Sequence, residues 1–361
     1  MPLIALNNRE LLHLDVLTLP IPKSHGVNSV HLLNKKIKVM SDKSVRNERQ
    51  LSTDIDQYIE AATRDNTRKT YRSAVEHFEV SWGGRLPTTP EQITRYLATY
   101  APTLSSRTLK TRLAALAQWH QTQGFVNPCA ASQVKKVMKG IQAVHNTKPK
   151  QAKPLQLLHL RHVIEHLETT ITTAQETNNH RFVVRALRNR ALISLGFWRG
   201  FRSDELTRLR VENIEVSVGM RLRGYLSRNK TDRHYQGTHF EIPALAELCP
   251  VKAYADYIDY AGVSDGPVFR KLDRWGKLHE KPLSAGSIPA LLRSILTDAK
   301  VMNANEFSSH SLRRGFAHWA DHQGWSLHDL MRYVGWKDQR SAMGYLANRS
   351  SLFANTLPIK P

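Results

Sequence analysis

The sequence predicts a mainly α-helical protein with one small antiparallel β-sheet, divided between an all-helical domain and a mixed α+β domain. Three observations carry this expectation. Apolar residues recur at three- and four-residue steps over most of the chain. Only residues 214–242 are rich in strand formers arranged around a polar turn. Residues 145–154 hold two prolines, three lysines and no apolar period, and so read as a linker between two stretches each long enough to bury a core. The 361 residues are 41% hydrophobic and 23% charged, which is a globular composition.

Residues 1–50 show no clear period and are expected to form a mobile N-terminal arm. The helical domain, 51–145, begins with a stripe of Tyr71, Val75, Phe78 and Trp82, which predicts a helix over 66–82 with Arg68, Lys69 and Arg72 beside the stripe. Thr89-Pro90-Glu91-Gln92 supplies an N-cap, a proline at the first helical position and a glutamine able to close a capping box, opening a helix to Tyr100. Leu109, Leu113 and Leu116 mark a helix over 106–121 that carries Arg107, Lys110 and Arg112, and 134–144 forms another. After the linker, 146–154, the second domain occupies 155–361. Helices are expected at 158–175 and 180–198 before the β-rich stretch, and at 251–260, 285–299, 309–322 and 327–334 after it.

Charge narrows the class of partner. There are 52 Lys and Arg against 31 Asp and Glu, a net charge of +21. A protein this basic repels itself, and a polyanion, most often nucleic acid, accounts for the excess. Between Glu91 and Glu165 lie 73 residues with no acidic side chain and 11 basic ones. A solvated face of mixed charge does not explain so complete an exclusion of one sign. Cys129 and Cys249 stand far apart and support neither a disulfide framework nor a metal-binding CxxC, so a cytoplasmic setting is expected. No apolar run approaches a membrane span and the N-terminal residues do not read as a secretory signal. No HExxH, DxDxDG or GxxxxGK[ST] motif occurs, so neither a metal nor a nucleotide cofactor is expected.

Candidate site residues are weak singly. Arg202, in GFWRGFRSDELTRLR, could simply tie two helices together through Glu205. Lys230, in SRNKTDRH, reads as an ordinary turn lysine. His310 and Arg313, in SSHSLRRGFAHWA, share a helix face near its N-terminus. Trp336 and Tyr345, in YVGWKDQRSAMGYLAN, could be core aromatics.

In combination they form a specific pattern. The motifs FRSDEL, HSLRRGFA and VGWKDQRSAMGYL, with Lys230 between the first two, resemble the tyrosine recombinase (phage integrase) family, in the order Arg202, Lys230, His310-x-x-Arg313, Trp336, Tyr345. The spacings of 28, 3, 23 and 9 residues, and a tryptophan where the wider family usually has histidine, resemble the Cre-like branch. The resemblance covers roughly 50–350. It implies a helical core-binding domain followed by an α+β catalytic domain that together close around duplex DNA at an inverted-repeat site, two protomers per site and four in the synapse. It implies that Tyr345 is the nucleophile, that Lys230 protonates the departing 5′ oxygen, and that the product is a 3′-phosphotyrosine, without metal or ATP. Elementary chemistry agrees. Two guanidiniums, Arg202 and Arg313, can hold the two nonbridging oxygens of a five-coordinate phosphorus. A phenol of pKa about 10 needs cationic surroundings or a base such as His310. The single indole N–H of Trp336 suits one more phosphate hydrogen bond, and Glu205 would orient Arg202.

Two other functions fit parts of the pattern: a type IB topoisomerase-like enzyme that relaxes DNA, and a non-catalytic DNA-binding protein of the same fold. The residues after Tyr345, with Leu352, Phe353 and Leu357, could form an apolar face that docks on a neighbouring protomer. Arg68, Lys69, Arg72, Arg107, Lys110 and Arg112 are the candidates for DNA contact.

Overall fold

A computed structural model describes residues 50–145, 151–227 and 237–346, except 52, 56, 60, 61 and 64. The expected N-terminal arm, the first part of the linker, Lys230 and the segment after residue 346 therefore lie outside the described residues. The chain forms two compact units, Met1–Lys148 and Pro149–Pro361.

In the first unit, helix α1 (Asp65–Glu76) runs into a π-helical turn (His77–Ser81). The single helix expected over 66–82 thus changes its winding part-way. The wider turn lets both Phe78 and Trp82 reach the Tyr96 ring, with centroids 5.1 and 5.4 Å from it. Helix α2 (Pro90–Tyr100) starts at Thr89, whose hydroxyl accepts the Gln92 N–H at 3.4 Å. Helices α3 (Ser106–Thr122) and α4 (Ser132–Val144) complete the unit around Phe78, Ile93, Leu97, Leu109, Leu116 and Val134.

In the second unit, α5 (Leu157–Glu176) and α6 (His180–Trp198) are joined by a three-residue turn. From Val183 to Trp198 only Arg185 of α6 is not buried, because the helix is packed against α5, α8 (Pro250–Ala261) and α10 (Ser309–His322). A periodic stripe is absent for the same reason. A short helix, α7 (Ser203–Thr207), leads to β1 (Ile214–Ser217), β2 (Arg221–Leu226) and β3 (Thr238–Pro243), an antiparallel sheet in that order. The pairs Leu222↔Ile242 and Gly224↔Phe240 face the core. Phe240 lies over Gly224 so closely that a Cβ there would stand 2.3 Å from the ring.

A second sheet, β4 (Arg270–Leu272) with β5 (Leu278–Pro282), was not expected from the sequence. Its strands are short and β5 is exposed at four of its five positions, so no alternation marks them. Helix α9 (Ile288–Asp298) is preceded by a 3-10 turn at Ala285–Ser287, and α11 (Leu327–Val334) and α12 (Gln339–Leu346) end the described chain.

Residues 151–155 lie along α10. The Leu155 N–H donates to the Ser311 carbonyl at 2.9 Å, and a Cβ at Gly315 would come within 1.9 Å of the Leu155 carbonyl oxygen. Backbone cannot give way as a flexible side chain does. Gly315→Ala is therefore expected to lower unfolding stability by about 1–3 kcal/mol, read by chemical denaturation.

Candidate active site

Five segments of the second unit meet at one place. At the end of α6 the chain turns through Gly200, whose φ of +62° favours glycine, and Arg202 follows as the extended residue that caps α7. Glu205, one turn into α7, accepts the Arg202 backbone N–H at 2.8 Å and the Arg202 guanidinium at 2.6 Å. Its second oxygen lies 3.5 Å from Arg313 Nη1. One buried carboxylate thus holds two arginines from distant parts of the chain.

Arg313 is 0% exposed, the largest fully buried side chain described. It donates to the Gly200 carbonyl at 2.7 Å and to the Val334 carbonyl at 3.4 Å, tying α10 to the end of α6 and the end of α11. Burial, and secondarily the charge of Arg202, lower its pKa to about 10, while Glu205 and Tyr345 pull the other way. The guanidinium stays charged at neutral pH.

Helix α10 is capped by Ser308, which accepts the His310 N–H at 3.2 Å and donates its own N–H to Ser311 Oγ at 2.9 Å. This fixes the turn on which His310 and Arg313 stand. The Gly335 backbone, with φ +75°, ends α11 and turns the chain into Trp336. Trp336 is 5% exposed and its Nε1 is buried with no hydrogen-bond partner. The Arg313 guanidinium lies 5.0 Å from the Trp336 ring centroid and 5.8 Å from that of Tyr345. Tyr345, on α12, packs 5.0 Å from Trp336, centroid to centroid, and its hydroxyl is 3.1 Å from His310 Nδ1.

The structure therefore brings together Arg202, Glu205, His310, Arg313, Trp336 and Tyr345. Lys230 lies outside the described residues, on the connection between β2 and β3. Chemically, the arrangement offers two guanidiniums and an unpaired indole donor to an anion, with a hydrogen-bonded phenol beside them. Among the described residues no group of three or more His, Cys, Asp or Glu side chains is gathered to hold a metal ion.

Three neighbours were missed by sequence reasoning. The buried Arg314 donates to Gln151, and His318 donates Nε2–H to the Tyr345 carbonyl at 3.1 Å, while Arg199 closes α6. Arg314 and His318 follow His310 by four and eight residues on α10, and that helical spacing was a legible signal. Arg199 had none.

Burial holds the His318 pKa below its ordinary value, with smaller lowering contributions from Arg314 and His322. His77 and His159 are likewise lowered, chiefly by burial. Each takes up its proton less readily in the fold than in the unfolded chain, which does so near pH 6.5. Stability is therefore full above that pH and falls as pH drops through 6.5 toward the lowered folded values. Thermal melting at pH 7 and pH 5 is expected to show the loss, and His318→Gln to reduce it.

In the first unit, Lys69, Arg72, Arg107 and Lys110 are exposed. Arg68 is tied to Asp65 and to the Thr63 carbonyl at 3.1 Å. Arg112 turns inward: its guanidinium is 2.7 Å from His77 and donates to Tyr96 Oη at 3.1 Å, and it lies 5.8 Å from the Tyr100 ring centroid.

Comparison with known proteins bears on the same residues. The phage integrase family model matches residues 165–351, just over half of the chain. An integrase/recombinase XerD homolog from Selenomonas ruminantium is 27% identical over 323 residues, 87% of this chain and 90% of that protein. The Cre recombinase of Escherichia phage P1 is 24% identical over 278 residues, 73% of this chain and 78% of its own. Among solved structures, a lambda integrase dimer bound to a COC′ core site aligns with a TM-score of 0.54 at 16% identity, over 85% of this chain and 98% of that one. That likeness concerns the fold.

Proposed function

The chain belongs to the phage integrase family, and from this premise we infer that it is a site-specific DNA recombinase that cleaves and rejoins duplex DNA through Tyr345. The observation that carries the reading is the convergence just described: a phenol 3.1 Å from His310, beside a buried Arg313 that shares Glu205 with Arg202.

In this reading the Tyr345 oxygen attacks a backbone phosphorus, the bond from phosphorus to the 5′ oxygen breaks, and a 3′-phosphotyrosine forms. His310 receives the phenolic proton. Lys230, by family resemblance, supplies the proton that the departing 5′ oxygen takes. Arg202, Arg313 and the Trp336 indole hold the nonbridging oxygens as negative charge accumulates on them. Glu205 keeps the two guanidiniums side by side. The ester energy stays in the protein link, so the hydroxyl of a second strand reverses the step without ATP.

The relatives are named as recombinases, and the lambda integrase structure is described as a dimer on a core site. This supports duplex DNA with an inverted-repeat site as the partner, bound by two protomers and exchanged in a tetramer. The first unit would be the core-binding domain, with Lys69, Arg72, Arg107 and Lys110 on backbone phosphates. Arg112 and Arg68 would act there through the residues they hold. No described helix is long and apolar enough to cross a membrane. The DNA acted on in this reading is cytoplasmic, nucleoid-associated DNA.

The test uses a duplex site selected by the protein from a random-sequence library. A supercoiled plasmid with two copies of the site should yield recombinant circles, whereas a plasmid without it should stay supercoiled. Relaxation of both plasmids with no exchange would instead establish a topoisomerase.

A further inference from the structure

Five arginines of the described residues are buried: Arg188, Arg190, Arg199, Arg313 and Arg314. Four have at least one polar partner each among the described residues, although the Nε of Arg190, Arg313 and Arg314 is buried without one. Arg188 donates to Asn189 Oδ1 and the Arg270 carbonyl, Arg190 pairs with Glu168 and Asp256, Arg313 has Glu205 and two carbonyls, and Arg314 has Gln151. Arg199 is the exception. It is 7% exposed, its Nε and Nη1 are buried with no hydrogen-bond partner, and among the described residues no carboxylate pairs with it. Its guanidinium lies 4.9 Å from the centroid of Tyr333 and 6.0 Å from that of Phe240.

Ring faces attract a cation but do not satisfy in-plane N–H donors, and an unpaired buried charge is costly. The place of this charge is informative. Arg199 immediately precedes Gly200, whose carbonyl anchors Arg313, and stands three residues before Arg202. It feels the charges of Glu205 and Arg313. Phe240 belongs to β3, the strand that follows the connection bearing Lys230. A guanidinium left without an anion at the edge of a phosphate site is complete only when the substrate brings one.

We propose that Arg199 is a third phosphate-binding arginine of this active site, turning from between Tyr333 and Phe240 to take a phosphate oxygen at or next to the cleavage position. This rests on the recombinase reading above. Arg202 and Arg313 hold the oxygens at the reacting phosphorus, and Arg199 adds a further anchor that fixes the strand's register against Tyr345. A purely structural arginine would be insensitive to the charge of any one phosphate.

The experiment is a phosphate-by-phosphate charge deletion. Nicked duplexes of the selected site are made with one neutral methylphosphonate at the scissile position or at either of its neighbours. Adduct formation is timed for the wild type and for Arg199→Met, which fills the slot without charge. On unmodified DNA the Met variant should be about 10- to 100-fold slower, the range expected for a lost charge-assisted contact. On the one duplex lacking the phosphate that Arg199 binds, that gap should close, and on the other two it should persist. A gap of the same size on all duplexes, or no gap on unmodified DNA, overturns the proposal. If the Met variant does not fold, Arg199→Lys, which keeps the charge but loses the fork, is read in the same scan by the same criterion. Failure of wild-type protein to form any adduct on unmodified DNA would count against the recombinase reading itself, whereas a wild-type adduct with no Arg199 effect counts against this proposal alone.

Discussion

Tyr345→Phe protein should bind its selected duplex nearly as well as the wild type and form no covalent adduct with it. The substitution removes one oxygen. The ring keeps its place 5.0 Å from Trp336, and the only described hydrogen bond lost is that of the hydroxyl to His310 at 3.1 Å. The cost to stability is therefore about 1 kcal/mol, too little to unfold a domain. The cost to chemistry is complete, because no other hydroxyl is described against both His310 and Arg313. A nicked duplex should trap an SDS-resistant complex with wild-type protein and none with the variant. Persistence of that complex in the variant would remove Tyr345 from the role of nucleophile.

Arg202→Ala and Arg313→Ala should each slow cleavage by roughly 10²–10³-fold or more, the loss seen when one donor to a developing oxyanion is deleted. Most DNA affinity should survive, since phosphate contacts elsewhere supply the nonspecific attraction. Their stabilities should differ. Arg313 is wholly buried and bonds two carbonyls and Glu205, so its truncation leaves a cavity and unpaired buried acceptors and should cost about 3–5 kcal/mol. Arg202 is at the rim, and its loss leaves Glu205 with Arg313 and the capping N–H, which predicts a cost of about 1–3 kcal/mol. Arg202→Ala is thus the cleaner test of the clamp, with melting curves run beside cleavage assays. Normal cleavage by a folded Arg202→Ala protein would mean that the arginine pair is structural.

Much of the fold was readable along the chain because helices write their environment at short range. Thr89-Pro90 and the stripe of Leu109, Leu113 and Leu116 announced α2 and α3 through cap chemistry and a 3.6-residue period. The β4–β5 hairpin was not readable, since strands that bury little carry no alternation. The π-helical turn at His77–Ser81 was hidden for a related reason: the stripe of Phe78 and Trp82 is compatible with more than one winding, and Tyr96, which is distant in sequence, selects between them.

The site divides in the same way. Its residue types, their order and their spacing were already present in the sequence, because chemistry at a phosphodiester demands particular side chains and the family pattern lists them in order. Burial and pairing were decided only by the tertiary structure. Gly200 and Arg313 are 113 residues apart, yet one holds the other. Arg112 looked like a DNA contact and turned inward to His77 and Tyr96, whereas Arg199 looked like nothing and became, among the described residues, the one buried arginine with no polar side-chain or carbonyl partner. A charged side chain is read from the sequence as a charge alone. What it pairs with depends on which elements face each other, and in the second unit that is set by the packing of α6 at its centre.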